Sequence, residues 1–405
     1  MRSSDNRLVF EKDIGNEPLA TLAALHDLVV KKGYSDIVLD FSLVTRLRPE
    51  LMLPVVAIAR KYRSSKVEFD IVFPNERRAH NFLKTSGWLH LIAPEKYDLR
   101  TFKVSGHLAA MQFRSPEEHT KAVNNGIDLI LSNNQIARSE LKALEWSLNE
   151  ITDNVLNHSE CKFGGIVQVF NSKRAGSVDF YVVDSGITIP KSLMSSVDGI
   201  QGEIDALRRS IQEGVTRNKK TNQGNGLFGT FRCCEVSGGE FEILSGRAHL
   251  HFKNGNLNVT RNLIPFEGTF IKASIKNNAP DLLGRALVFK GRKHVPGFDY
   301  IERIYQSESE IMTFKVASEI PAFGSRSSGR HALQKIQNIM ADYTIPVEFD
   351  FEGVNLISSS FADEVFGNIY KDVGPIKFGA VCKFINISST IQGLLDRAIT
   401  QRMQE

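Results

Sequence analysis

The decapeptide NEITDNVLNH, residues 149–158, crowds Glu150, Asp153, Asn154, Asn157 and His158 into the end of an otherwise ordinary helical pattern. Leu141, Leu144, Leu148, Ile151 and Val155 recur at spacings of 3, 4, 3 and 4 and make the apolar stripe of that helix. Glu150, Asn154, Asn157 and His158, spaced 4, 3 and 1, make a second stripe. Asn and Asp form helix poorly because their short side chains compete for backbone hydrogen bonds, and solvated faces are usually built from Lys and Glu. The stripe is therefore either a solvated face kept at some cost in helix stability, or a site for a hard cation and its phosphates. Hard cations take oxygen ligands, and Mg²⁺ commonly binds through few protein oxygens plus phosphates and water. In the second case Glu150, one turn before Asn154, can hold a water for in-line attack on a terminal phosphate.

Two later segments bear on the choice. FYVVDSGITIP ends an apolar strand on Asp184, immediately before a serine and a glycine. A lone carboxylate there can accept a hydrogen bond from an exocyclic amine such as that of adenine, or simply serve a turn. NQGNGLFGTFRCCEVSGG carries Gly224, Gly226 and Gly229 at the start of an apolar helical run. Glycines let backbone N–H groups approach phosphates, and a helix N-terminus adds a favourable dipole, although glycine loops are also common in plain turns. The order of all three segments favours the phosphate reading over chance.

That combination resembles the GHKL ATPase superfamily, which includes gyrases, sensor histidine kinases and anti-sigma-factor kinases. NEITDNVLNH matches its N box, DSGITIP its first glycine box and GNGLFG its second, over roughly residues 115–277. The resemblance implies ATP and Mg²⁺ as cofactors, with Asn154 ligating the metal and Glu150 acting as general base. It implies that Asp184 binds the adenine amine, with Gly186 allowing close approach, and that Gly224, Gly226 and Gly229 face the phosphates. Asn157, Thr188, Asn225, Leu227 and Lys220 complete the expected nucleotide contacts. Residues 214–223 would form a mobile lid, in which Arg217, Lys219 and Lys220 either neutralise phosphate charge on closure or stand as a solvated basic loop. Thr188 departs from the pattern, since the family usually has a second glycine there. Glu150 separates the chain from sensor histidine kinases, where that position is generally not a glutamate.

These segments need elements to position them. Residues 1 to about 100 alternate strands (SDIVLDFS, VEFDIVF) with helices (PLATLAALHDLVVKKG, ELMLPVVAIARKYRSS), an α/β pattern. From Ser115 two long helices precede strands GIVQVFNS, SVDFYVVDSG, GEFEILSG, AHLHFKN and GTFIKASI, an α+β pattern with a largely antiparallel sheet. After residues 278–310, which give no clear pattern, helix and strand alternate again, and VEFDFEGV echoes IVLDFSLV. The expected organisation is thus α/β and α+β multidomain. It comprises a STAS-like domain at 1–105 and a GHKL (Bergerat) sandwich with a mixed, largely antiparallel sheet at 106–277. A connector and a second STAS-like domain occupy 278–405. The flanking names rest on resemblance, best carried by FDFEGVNLISSSFADEVFG. In phosphorylated STAS proteins the acceptor serine starts the helix after such a strand, and Ser359 lies nearest that position. Helix capping by Ser358–Ser360 is the competing reading.

Composition sets the outer limits. The chain has 405 residues, enough for two or three domains, and a net charge of +4, too mild to indicate a nucleic-acid surface. No run of eighteen apolar residues is present, MRSSDNRLVFEKDIG lacks the apolar core of a signal peptide, and none of the four cysteines forms a CxxC pair, so a cytoplasmic protein with reduced thiols and no membrane span is expected. The function expected is an ATP-binding, Mg²⁺-dependent, ATP-hydrolysing regulator. Its nucleotide state would switch contacts of the STAS-like parts with a protein partner or with a second copy in a homodimer. The alternatives are an anti-sigma-type serine kinase acting on a STAS serine and a non-hydrolysing nucleotide switch.

Overall fold

The computed structural model describes residues 2–11, 18–98, 106–216, 224–277, 279–296, 299–306, 311–341 and 343–404. It is a mixed α/β architecture with several sheets, divided into two compact units. One unit comprises Met1–Gly126 with Ala143–Val295, the other Ile127–Lys142 with Pro296–Glu405. Among the described residues no helix is long and apolar enough to cross a membrane.

In the first unit, Arg7–Val9, Asp36–Asp40 and Glu68–Val72 form a parallel sheet, extended antiparallel by Arg2–Ser4. Helix Pro49–Ser64 joins the second and third of the parallel strands, with Pro49 at the first helical position, where a missing N–H is harmless. Residues Leu51–Arg60 of this helix are all buried, as expected of a helix covered on more than one side. Its other cover is a second, five-stranded sheet. In spatial order the strands are Met111–Phe113, Gly165–Ser172, Ser177–Asp184, Asn256–Lys276 and Glu240–Lys253, and every described pairing is antiparallel. Side chains alternate across a strand, so Tyr181 and Val183 join the core around Pro49–Ser64 while Val182 and Asp184 point to the opposite face. Glu50, in the first turn of that helix, accepts a hydrogen bond from the Tyr181 hydroxyl at 3.3 Å and pairs with Lys272 at 3.1 Å.

Helix Arg138–His158 is the helix expected from its two stripes, and all five members of the apolar stripe are buried. Its second half belongs to the first unit, as does the sheet face that Val182 and Asp184 occupy. Of the segment that gave no sequence pattern, the described residues form helix Leu282–Ala286 and a hairpin, Val288–Phe289 with Arg292–Lys293, in the first unit, and helix Tyr300–Tyr305 in the second.

A buried polar chain ties the short helix Trp88–Ile92 to the five-stranded sheet. The Trp88 indole N–H donates to Gln168 Oε1 at 2.9 Å, and the Gln168 amide donates to the Ser86 carbonyl at 3.2 Å. Gln168→Leu strands the buried Trp88 N–H without water, while the Ser86 carbonyl keeps the Ala110 N–H at 2.7 Å, and should lower stability by about 1–3 kcal/mol. A urea unfolding midpoint equal to that of the unaltered protein would contradict this.

The second unit repeats the layout of the first sheet. Met312–Lys315, Val347–Asp350 and Cys382–Ile385 are parallel in sequence order, with helices Arg326–Ile339 and Ser389–Met403. Between the second and third strands the chain runs through Ser359–Ala362, a π turn at Asp363–Gly367, and Asn368–Val381, which breaks at Gly374 with φ of 75°. The turn after the middle strand is the same in both sheets. The Ser42 N–H donates to Asp40 Oδ1 at 2.9 Å, and the Glu352 N–H donates to Asp350 Oδ1 at 3.0 Å. The Phe41 N–H reaches the Val72 carbonyl at 2.9 Å, as the Phe351 N–H reaches that of Ile385 at 3.1 Å. Helices then begin at Pro49 and Ser359, at the same offset from Asp40 and Asp350. Ser358 caps the second of them, accepting the Phe361 N–H at 3.1 Å, while Arg48 offers no side-chain cap to the first. Ser359 itself is the exposed first residue of its helix.

All four cysteines are free thiols. Burial pushes Cys233 and Cys382 up to about 12, so both stay protonated and inert at neutral pH.

Candidate functional site

The cavity of about 380 Å³ in the first unit is built from three kinds of element. Its floor is the sheet. Val182 faces Ile271 and Asp184 faces Thr269 across the antiparallel ladder, and these four side chains share the floor. One wall is the helix Arg138–His158, which presents Trp146, Glu150, Asn154 and His158 at helical spacing. The rim comes from Ile187 and Ile189 after the Asp184 strand, from Val215 and Thr216, and from Gly224–Leu227 at the head of helix Gly226–Ser237. Phe289 and His294 of the hairpin close one side.

Asp184 is 4 % exposed, and burial raises its carboxyl to about 7 despite a hydrogen bond of 2.7 Å from the Gly186 N–H, which favours the charged form. A buried carboxylate flanked by Val182, Ile271, Ile187 and Ile189 suits a flat, mostly apolar ligand that offers one hydrogen-bond donor. Thr269 adds a hydroxyl beside it and is itself held by Ser245 Oγ at 2.9 Å, which also accepts the Ile189 N–H at 2.9 Å. Sequence reasoning did not find Thr269, because only the strand register brings it opposite Asp184.

The other end of the cavity is polar. Glu150 is half-buried, and burial, with Asp153 nearby, raises its carboxyl to about 7. Gly226 lies directly against it: a Cβ there would stand 2.4 Å from Glu150 Oε2. Gly224, at φ of +71°, packs against the backbone of Gly214 and Val215, where a Cβ would meet atoms at 2.8 Å. The Asn225 side chain accepts the Gly214 N–H at 3.3 Å. The two ends of the expected lid are thus held together, and Arg217, Lys219 and Lys220 lie outside the described residues.

The expected residues divide as follows. Glu150, Asn154, Asp184, Gly224, Asn225, Gly226 and Leu227 all line one cavity. Four others have different surroundings. Asn157 is exposed, and its amide donates to Asp153 at 2.6 Å. Gly186 gives close approach, but to the end of the acidic helix, since a Cβ there would lie 2.1 Å from the Ser159 carbonyl oxygen. Thr188 caps helix Ile189–Met194, its hydroxyl accepting the Lys191 N–H at 3.2 Å. Gly229 has its N–H bonded to the Asn225 carbonyl at 2.7 Å and so holds no spare donor for a phosphate. What Gly229 provides is packing room, because a Cβ would stand 2.3 Å from the Trp146 ring. Among the described residues no group of three or more His, Cys, Asp or Glu side chains could hold a metal ion. A cation bound at Asn154 would therefore need oxygens from the ligand and water.

Residues 333–392 match the model of a STAS-like domain of unknown function, DUF4325. This part of the chain is STAS-like. The match runs from helix Arg326–Ile339 through the two strands Val347–Asp350 and Cys382–Ile385 into the last helix. It includes the Asp350 turn and Ser358–Ser360. No curated protein matches the chain.

Proposed function

We propose that the cavity binds ATP with Mg²⁺ and hydrolyses it, as the GHKL resemblance implies, in a sandwich domain flanked by two STAS-like domains. The observation that carries this is the meeting of Glu150, Asn154, Asp184, Gly224 and Gly226, from three separate sequence segments, around one cavity. The antiparallel sheet with the acidic helix along the same cavity supports the sandwich reading. The repeated turn at Asp40 and Asp350 supports reading the N-terminal sheet as a second STAS-like domain.

In this reading Asp184 and Thr269 hold the base, and the floor residues Val182 and Ile271 lie against its ring. The head of helix Gly226–Ser237 presents N–H groups to the phosphates. Asn154 supplies one amide oxygen to the metal ion, which when bound neutralises phosphate charge. Glu150, with a carboxyl near 7, accepts a proton from a water at neutral pH. Nucleotide binding would alter how the STAS-like parts engage a protein partner or a second copy.

Incubation of the full chain with Mg²⁺ and ATP should release inorganic phosphate at a rate proportional to protein. Binding without release would reduce the proposal to a non-hydrolysing nucleotide switch. One observation favours a second reading, a serine kinase of the anti-sigma type. Ser359 is exposed at its helix start while Ser358 serves as the cap. Mass spectrometry after the same incubation separates the two, because only the kinase reading puts phosphate on Ser359.

A further inference from the structure

We propose that the hairpin Val288–Lys293, with His294 behind it, is the part of the cavity that distinguishes a nucleoside triphosphate from a diphosphate, His294 being the donor to the terminal phosphate. The inference rests on the ATP reading of the cavity and assigns a residue that neither the N box nor the glycine boxes contain.

The position of the hairpin follows from two glycines. Glu150 meets helix Gly226–Ser237 at Gly226, and Trp146, one turn earlier on its helix, meets it at Gly229. A Cβ on Gly229 would also lie 3.0 Å from Leu287 Cδ2, so the hairpin starts beside this second contact. It closes where the His294 N–H donates to the Leu287 carbonyl at 2.8 Å. His294 therefore reaches the cavity at the Glu150 end, away from Asp184.

The ring is held in place. Its centroid is 6.0 Å from that of Trp146 and 5.6 Å from that of Phe289, and both of those rings also line the cavity. Both contacts are inclined, at 61° and 46°, and the ring nitrogens remain the polar part of the side chain. Charge makes the assignment sharper. The described lining contains Glu150, Asp153 and Asp184 but no Lys or Arg, so His158 and His294 are its only side chains able to carry positive charge. His158 lies two turns beyond Glu150, about 12 Å along the helix. A polyanion whose end lies near Glu150 thus finds in His294, besides the N–H groups of the Gly226 helix head, the nearer of the two histidines of the described lining. The hairpin is also tied to the cavity rim, because the Lys290 N–H donates to the Glu213 carboxylate just ahead of Gly214–Thr216.

The test is calorimetric titration of the full chain, in Mg²⁺, with ADP and separately with a slowly hydrolysed ATP analogue. His294→Phe keeps a ring against Trp146 and Phe289 and removes the donor; His294→Gln keeps a donor. The expected result is a loss of about tenfold to a hundredfold in affinity for the ATP analogue in His294→Phe, the strength of a hydrogen bond to a charged group. ADP affinity should stay within about twofold, and His294→Gln should recover part of the loss. If the unaltered protein binds both nucleotides and His294→Phe leaves their affinity ratio unchanged, the inference is overturned while the ATP reading stands. If the unaltered protein binds neither, the ATP reading fails and the inference with it.

Discussion

Asp184→Asn should weaken adenine-nucleotide binding by about one to two orders of magnitude while making the ligand-free protein more stable at pH 8. The two effects have one cause. Burial raises the Asp184 carboxyl from 3.8 to about 7, so above that pH the folded state carries a desolvated charge that the unfolded chain holds in water. A raised carboxyl pKa means that the folded state binds more protons than the unfolded one between about pH 4 and 7. Stability contributed by this group therefore falls as pH rises through that window, by roughly 4 kcal/mol in all. Below the window both states are protonated and the difference vanishes. Asparagine has nearly the same shape, and its carbonyl oxygen can still accept the Gly186 N–H, which Asp184 takes at 2.7 Å. What it lacks is the second acceptor for a ligand amine, and a hydrogen bond to a charged acceptor contributes about 1.5–3 kcal/mol. Urea titrations of the two proteins at pH 4 and pH 8 measure the first effect and calorimetry the second. A midpoint no higher in the variant at pH 8, or unchanged nucleotide affinity, would show that Asp184 is a turn residue.

Glu150→Gln should separate binding from turnover. Glutamine keeps the volume beside Gly226 but cannot take a proton, and loss of a positioned general base typically lowers a rate by about 10²–10⁴-fold. Affinity for the ATP analogue should hold or improve, since a carboxylate is removed from a site for a polyanion. In the unaltered protein, turnover at low ATP should rise with pH and level off above about 7, because Glu150 must be ionised to accept the proton. The rise should be absent from the residual activity of the variant. Equal turnover in the two proteins would remove Glu150 from the chemistry.

Much of this was readable in the amino-acid order, for reasons that differ by element. Helix Arg138–His158 announced itself because its two stripes obey one period, and its apolar stripe is buried as expected. Strand Gly165–Ser172 has the bounds its pattern gave. Short strands such as Arg7–Val9 and Met312–Lys315 were missed, since three or four residues carry too little periodicity to stand out. The burial of Pro49–Ser64 against a second sheet was equally hidden, because it depends on packing far along the chain. Glu150, Asn154, Asp184, Gly224 and Gly226, singled out by local motif, line one cavity. Thr269 needed the ladder register, and Phe289 and His294 needed the fold of a segment with no pattern of its own. Gly229 fits the phosphate motif by sequence, while its structural surroundings are the Trp146 ring and an N–H already bonded to the Asn225 carbonyl.

The most direct measurement is calorimetric titration of a slowly hydrolysed ATP analogue with Mg²⁺ into the full chain. The account predicts saturable heat with one nucleotide per chain. Absence of any heat at millimolar nucleotide would contradict it, and the cavity between Asp184 and Glu150 would need another ligand.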